Sequence, residues 1–115
     1  MNEHIVNEFL AEFKEIILSG NFYLIPREKN IEGLINLGIN RQQAKKEILD
    51  LTYENYYQGP VIDEYVNYKG DLWIFGKDIN NIQTYIKLKI EIKAGKKIAK
   101  CISFHPADFT MKFSI

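Results

Sequence analysis

Between Ile82 and Lys93 the side chains change character at every step. Ile86, Leu88, Ile90 and Ile92 alternate with Tyr85, Lys87, Lys89, Glu91 and Lys93. A period of two belongs to a β-strand with one face buried and the other open. The strand starts at Ile82 or Gln83 and is too apolar on one side to stand alone. The rest of the chain must therefore supply a cover for that side and partner strands for its edges. The cover comes first in the sequence. Ile5, Val6, Phe9, Leu10, Phe13, Ile16 and Ile17 recur at helical spacing, with Glu3, Glu8, Glu12, Lys14 and Glu15 on the opposite side. Asn2 is placed to cap this helix and Gly20 to end it.

The residues between these two segments predict short elements. Phe22-Tyr23-Leu24-Ile25, stopped by Pro26, reads as a strand or a packed connector. Asn30 is placed to cap a helix from Ile31 to Leu37 that ends at Gly38, and Asn40 to cap one from Arg41 to about Leu49. Thr52-Tyr53-Glu54-Asn55 suggests one further helical turn, closed by Gly59-Pro60, and Val61 to Gly70 reads as a loop. After Gly70, Leu72 to Lys77 is a strand, Asn80-Asn81 a turn, and Ala94-Gly95-Lys96 a hairpin loop. Lys97 to His105 returns as a third strand stopped by Pro106, and Phe109 to Ile115 is a candidate edge element. Helices followed by an antiparallel meander give an α+β domain, with N-terminal helices packed on a small antiparallel sheet. At 115 residues the chain fits one domain, 1–115.

Charge and cysteine narrow the function classes. Fifteen basic and fifteen acidic residues cancel, which argues against a strongly basic nucleic-acid binder. The cancellation is uneven along the chain. Residues 1–68 hold six basic and eleven acidic residues, a net −5, and residues 69–115 hold nine and four, a net +5. Such asymmetry points to an anionic partner for the second half. Cys101 is alone and cannot form an internal disulfide, and one Cys with two His supplies no spaced metal-ligand set. No apolar run approaches the roughly 18 residues of a membrane span, and Met1-Asn2-Glu3-His4 does not resemble a secretory signal. A cytoplasmic protein with no cofactor and no metal is expected.

Strand alternation brings chemistry-bearing residues together. With Ile86, Leu88, Ile90 and Ile92 buried, Tyr85, Lys87 and Lys89 face away from the core. In the next strand Ile98, Ile102 and Phe104 match the buried face, which leaves Ala99, Cys101, Ser103 and His105 on the open one. Residues of the hairpin pair where their numbers sum to roughly 190, so Tyr85 lies opposite His105 and Lys87 near Ser103. A phenol, an imidazole and an ammonium on one open face suit phosphodiester cleavage. An RNA 2′-hydroxyl needs a base, the departing 5′-oxygen an acid, and the phosphorane a cation. His105 can serve as acid or base, Lys87, Lys89 or Lys77 can hold the phosphate, and Tyr85 can orient a group or stack on a base. Ordinary readings stand beside these. Alternating lysines also serve solubility, and Trp73 and Phe75 suit a core as well as a stacking platform. Tyr53, Tyr56 and Tyr57 suit an anchor for the short helix, and Cys101 a small buried hydrophobe.

Three segments taken together resemble a known family. They are Leu51-Thr52-Tyr53-Glu54-Asn55-Tyr56-Tyr57-Gln58-Gly59-Pro60, then Asp71-Leu72-Trp73-Ile74-Phe75-Gly76-Lys77, then Tyr85-Ile86-Lys87-Leu88-Lys89-Ile90 continued by Cys101-Ile102-Ser103-Phe104-His105. Their order and spacing are similar to the motility quorum-sensing regulator (MqsR) toxins of bacterial type II toxin–antitoxin systems, over nearly the whole chain and most densely over 51–105. The resemblance implies a RelE-like RNase fold and an mRNA interferase that cuts RNA without metal, free or on the ribosome, and is neutralised by a co-encoded antitoxin. It implies Tyr85, Lys87 and His105 as catalytic positions; from the strand pattern itself, Lys77, Lys89, Tyr57 and Trp73 stand beside them as RNA-binding candidates. Gln58 and Ile74 stand where the best-known branch of the family has lysine and glutamine. A non-catalytic RNA- or protein-binding module using the same basic face is the competing expectation.

Overall fold

The helix expected at the start forms first. In α1 (Glu3–Leu18), the Asn2 side chain accepts the His4 N–H at 2.7 Å, and Val6, Phe9, Leu10, Phe13, Ile16 and Ile17 are buried along one stripe. Gly20 follows at φ 95°, a left-handed conformation that glycine adopts without strain. Phe9 stacks on Trp73 with ring centroids 4.5 Å apart, which seats the helix on the sheet. The computed structural model describes residues 2–62 and 71–113. After α1 come β1 (Phe22–Leu24), α2 (Glu28–Leu37), α3 (Arg41–Leu49), a 3₁₀ turn at Tyr53–Asn55, β2 (Tyr56–Ile62), β3 (Asp71–Ile79), β4 (Ile82–Lys93) and β5 (Lys96–Pro106). The result is an α+β fold, three N-terminal helices packed on a five-stranded mixed, mostly antiparallel sheet of order β1-β5-β4-β3-β2. Its core lies between the helices and one sheet face, with Phe75, Ile86, Leu88 and Phe104 at its centre. Among the described residues no helix is long and apolar enough to cross a membrane.

The sheet departs from a pure meander at both edges. Phe22–Leu24 is a true strand, and it runs parallel to β5, with Leu24 opposite Cys101. Residues 56–62, expected as the end of a turn and the start of a loop, form the other edge strand against β3. Gly59 and Pro60 do not stop it, because an edge strand tolerates a proline. Gly59 sits at φ 127° with the Leu72 carbonyl 2.7 Å from where a Cβ would be, so only glycine fits there. The rest of the expected loop, 63–70, lies outside the described residues. Residues 107–113 form no edge strand; they cross the open sheet face as irregular chain, with the Met111 thioether packed over Gly76. Residues 114–115 lie outside the described residues.

Two expectations about β4 and β5 are corrected by one bulge. The hairpin turns on two residues, Ala94 and Gly95, so Lys93 pairs with Lys96. Between the pairs Leu88–Cys101 and Lys87–Ser103 the register shifts, because Ile102 is an extra residue on β5. One extra residue reverses which face every later side chain takes. Ser103 and His105 keep the open face and Phe104 the core, as expected. Ala99 and Cys101 instead point into the core, both fully buried, and Ile98 leaves it to pair with Glu91. On β4, Ile92 is 56% exposed at the end of the sheet, beyond the reach of the helices.

The start of α2 is also corrected. Asn30 does not cap the helix, which begins three residues earlier than expected, at Glu28 with Arg27 at the N-cap. Asn30 is buried inside it, and its side chain takes the place of a neighbouring strand. Its Nδ2 donates to the carbonyls of Ile25 and Ile102 at 2.9 and 3.0 Å, and its Oδ1 accepts the Phe104 N–H at 2.9 Å. β1 stops at Leu24, so the Phe104 N–H of β5 would otherwise be unpaired, while the Ile102 carbonyl also accepts from Arg27 Nε. Asn40 does cap α3, in a reciprocal capping box with Gln43. Removing the Asn30 amide leaves partly buried backbone groups without partners, at a cost of about 1–3 kcal/mol for each group left buried. Asn30→Ala is thus expected to lower the unfolding free energy by at least about 2 kcal/mol in urea denaturation. A loss below about 0.5 kcal/mol, the usual range of a surface substitution, would contradict this role.

Candidate active site

The open face of β4 and β5 carries a pocket of roughly 280 Å³ lined by Arg27, Lys29, Tyr85, Lys87, Ser103, His105, Asp108 and Phe109. Its floor is the paired residues Tyr85–His105 and Lys87–Ser103. The Tyr85 and His105 rings stack with centroids 5.4 Å apart and planes 15° from parallel. The Lys87 ammonium lies 5.8 Å from the Tyr85 ring centroid, within cation–π range. One wall is the entry to α2, which approaches β5 closely. A Cβ on Gly33 would stand 2.6 Å from the Cβ of His105, so glycine at 33 sets how near the helix can lie. The other wall is the segment after β5. Phe109 meets Tyr85 edge to face at 6.1 Å, and Tyr57 of β2 lies 6.0 Å from Phe109.

The protonation states follow from contacts and burial. His105 Nδ1 is 2.8 Å from the carbonyl of Pro106, which can only accept. The neutral ring therefore carries its proton on Nδ1 and presents a lone pair on Nε2. Burial lowers the His105 pKa below its ordinary 6.5; the Pro106 hydrogen bond and Asp108 oppose the shift, and Lys29 and Arg27 add to it. The imidazole is thus neutral near pH 7. Burial, helped by Tyr57, raises Tyr85 above its ordinary 10, so the phenol keeps its proton. Its hydroxyl has no hydrogen-bond partner among the described residues. Asp108 is an ionised carboxylate, its pKa lowered chiefly by the hydrogen bond from Lys29. A lone-pair nitrogen, a phenolic proton and several cations thus share one small pocket.

The residues singled out from sequence divide cleanly. Tyr85, Lys87 and His105 meet in the pocket, and Tyr57 reaches its rim through Phe109. Lys89 lies on the same sheet face but is 1% exposed and outside the pocket. Lys77 is on the helix side of the sheet, paired with Glu47 of α3 at 2.7 Å. Trp73 is a core aromatic beneath Phe9. Arg27, Lys29, Asp108 and Phe109 were not anticipated. The available signal was weak: if 22–25 is a strand parallel to the third one, residues 27–29 fall beside 103–105. Among the described residues no three His, Cys, Asp or Glu side chains lie close enough together to hold a metal. Comparison of the chain with protein-family models, with curated proteins and with solved structures finds no match.

Two measurements check this electrostatic picture. The His105 ring followed by NMR is expected to titrate below pH 6.5, with the neutral state protonated on Nδ1; a midpoint above 6.5 would contradict it. Cys101 is fully buried and its thiol is pushed far above the ordinary range by burial. It is expected to resist thiol reagents in the native protein and to react only on unfolding. Rapid native modification would contradict its place in the core.

Proposed function

We propose that the chain is an endoribonuclease that cuts mRNA using the RNA's own 2′-hydroxyl, a toxin of the mRNA interferase kind with a RelE-like fold. The observation that carries this reading is the stacked Tyr85–His105 pair beside Lys87 in a cationic pocket. His105 Nε2 takes the proton from the 2′-hydroxyl, and the 2′-oxygen forms its bond to phosphorus. The bond from phosphorus to the 5′-oxygen breaks, and that oxygen receives the Tyr85 phenolic proton. Lys87 stabilises the charge that builds on the phosphorane. The products are a 2′,3′-cyclic phosphate and a free 5′-hydroxyl, and the proton on His105 returns to Tyr85 through solvent. No metal is needed in this sequence of steps, because base, acid and cation are all side chains. The resemblance of residues 51–105 to the MqsR toxins supports the same reading, and with it a cytoplasmic setting, an mRNA substrate and a neutralising antitoxin protein.

The reading is tested by expressing the wild type and His105→Ala, Tyr85→Phe and Lys87→Ala variants, following growth and RNA integrity. Losing a general acid or base typically costs 10²–10⁴-fold, so His105→Ala and Tyr85→Phe are expected to relieve growth arrest and preserve RNA. Purified wild type is expected to cut RNA equally well with and without chelator. Intact RNA with the wild type, or equal toxicity in all variants, would overturn the enzymatic assignment. Tight RNA binding without cleavage would favour a binding module on the same face.

A further inference from the structure

We propose that Arg27 is the fork that grips the scissile phosphate, a substrate-binding residue that completes the site. This deepens the reading of the pocket as an RNA-cleaving site and rests on it. Arg27 is the N-cap residue of α2, with extended backbone at φ −80° and ψ 155°. Its side chain reaches β5 at the bulge, where Nε donates to the Ile102 carbonyl at 3.0 Å and Nη2 to Ser103 Oγ at 2.6 Å. Ser103 is the residue paired with Lys87, so the guanidinium is held over the floor of the pocket that His105 and Tyr85 also line.

The manner of holding is the informative feature. A guanidinium has five N–H donors in a plane. Two are spent on neutral oxygens, and the three others have no partner among the described residues. Among the described residues no carboxylate forms an ion pair with it. Lys29 of the same pocket is paired with Asp108, and Lys77, Lys97 and Lys100 elsewhere are paired with Glu47, Glu12 and Glu91; Arg41, like Arg27, donates to a backbone carbonyl, but it lies outside the pocket. Arg27 is oriented by two neutral acceptors and, with Lys29, Lys87 and Asp108, lines a pocket of roughly 280 Å³. A fixed fork with parallel donors matches two non-bridging phosphate oxygens, which a single ammonium such as Lys87 cannot do. Because the two neutral hydrogen bonds set its geometry before substrate arrives, the charge needs no reorganisation when the phosphorane forms. Ser103 is then a positioning residue that acts through Arg27.

A purely structural clamp on β5 would use the same two hydrogen bonds and leave the other donors to solvent, so the two roles must be separated by substitution. Arg27→Lys and Arg27→Gln separate the two roles, since lysine keeps the charge without the fork, and glutamine keeps a donor without the charge. Both are compared with the wild type for cleavage of RNA and for thermal unfolding, and in the wild type the Arg27 Nη resonances are followed on adding inorganic phosphate or a mixed-sequence 2′-O-methyl oligonucleotide that cannot be cut. We expect phosphate to shift the wild-type Nη signals and Ser103→Ala to weaken that shift. Both Arg27 variants should lose kcat by about 10²–10³-fold, with KM changed far less and unfolding within a few degrees of wild type. Unshifted Nη signals, or variants that cleave like the wild type, would overturn the assignment while leaving the nuclease reading intact. A wild type that binds phosphate through Arg27 but never cuts RNA would overturn the nuclease reading and keep the anion site.

Discussion

The extra residue at Ile102 is the constraint on which the site depends. Without it, the two-residue turn at Ala94-Gly95 would set a register in which Tyr85 faces Phe104. With it, one strand can send Cys101 and Phe104 into the core while Ser103 and His105 reach the open face. A bulge leaves backbone groups without ladder partners, and here they are met by Asn30 of α2 and by Arg27 at its N-cap, of which Arg27 also lines the site. Asn30 takes the Ile102 carbonyl and the Phe104 N–H, and Arg27 takes the Ile102 carbonyl and the Ser103 hydroxyl. Gly33 allows the same helix to approach the His105 backbone. Fold and candidate chemistry therefore share one joint, where α2 meets β5.

Charge is distributed by pairing across this architecture, and the pairing changes what the sequence totals mean. The basic second half does not simply present its lysines to solvent. Lys77 and Lys97 reach back to Glu47 and Glu12 of the acidic half, and Lys100 is matched by Glu91 on the neighbouring strand. Two of the pocket's cations, Arg27 and Lys29, come from the acidic half. The positive pocket is thus assembled from both halves at the junction of α2 and β5, and it is local. A short-ranged positive site of this kind attracts phosphate most strongly at low salt.

Much of the architecture was legible because it rests on periodicity. The helical stripe of α1, the alternation of β4 and the capping of α3 by Asn40 all follow from local patterns. The pairing of Tyr85 with His105 was legible for a subtler reason. A sum of about 190 assumes a three-residue loop; the turn has two residues and the bulge restores the missing one. The same bulge is why Ala99, Cys101 and Ile98 were placed on the wrong faces. Arg27 and Asn30 were not legible as site and edge residues, since their partners lie some 70 residues away, at separations of 75 and 72 to Ile102. Lys77 and Trp73 looked like ligand contacts because strand position alone does not say which face a helix will cover.

The most direct test of the central claim, that the Tyr85–His105 pocket drives attack by a 2′-hydroxyl, is made on the substrate. An RNA oligonucleotide cut by the wild type is resynthesised with one 2′-deoxynucleotide on the 5′ side of the cut, and the ends of the normal products are determined. The account predicts that this single change abolishes cleavage there, and that unmodified RNA yields a 2′,3′-cyclic phosphate and a 5′-hydroxyl. Continued cutting at the deoxy position, or products bearing a 5′-phosphate, would contradict it.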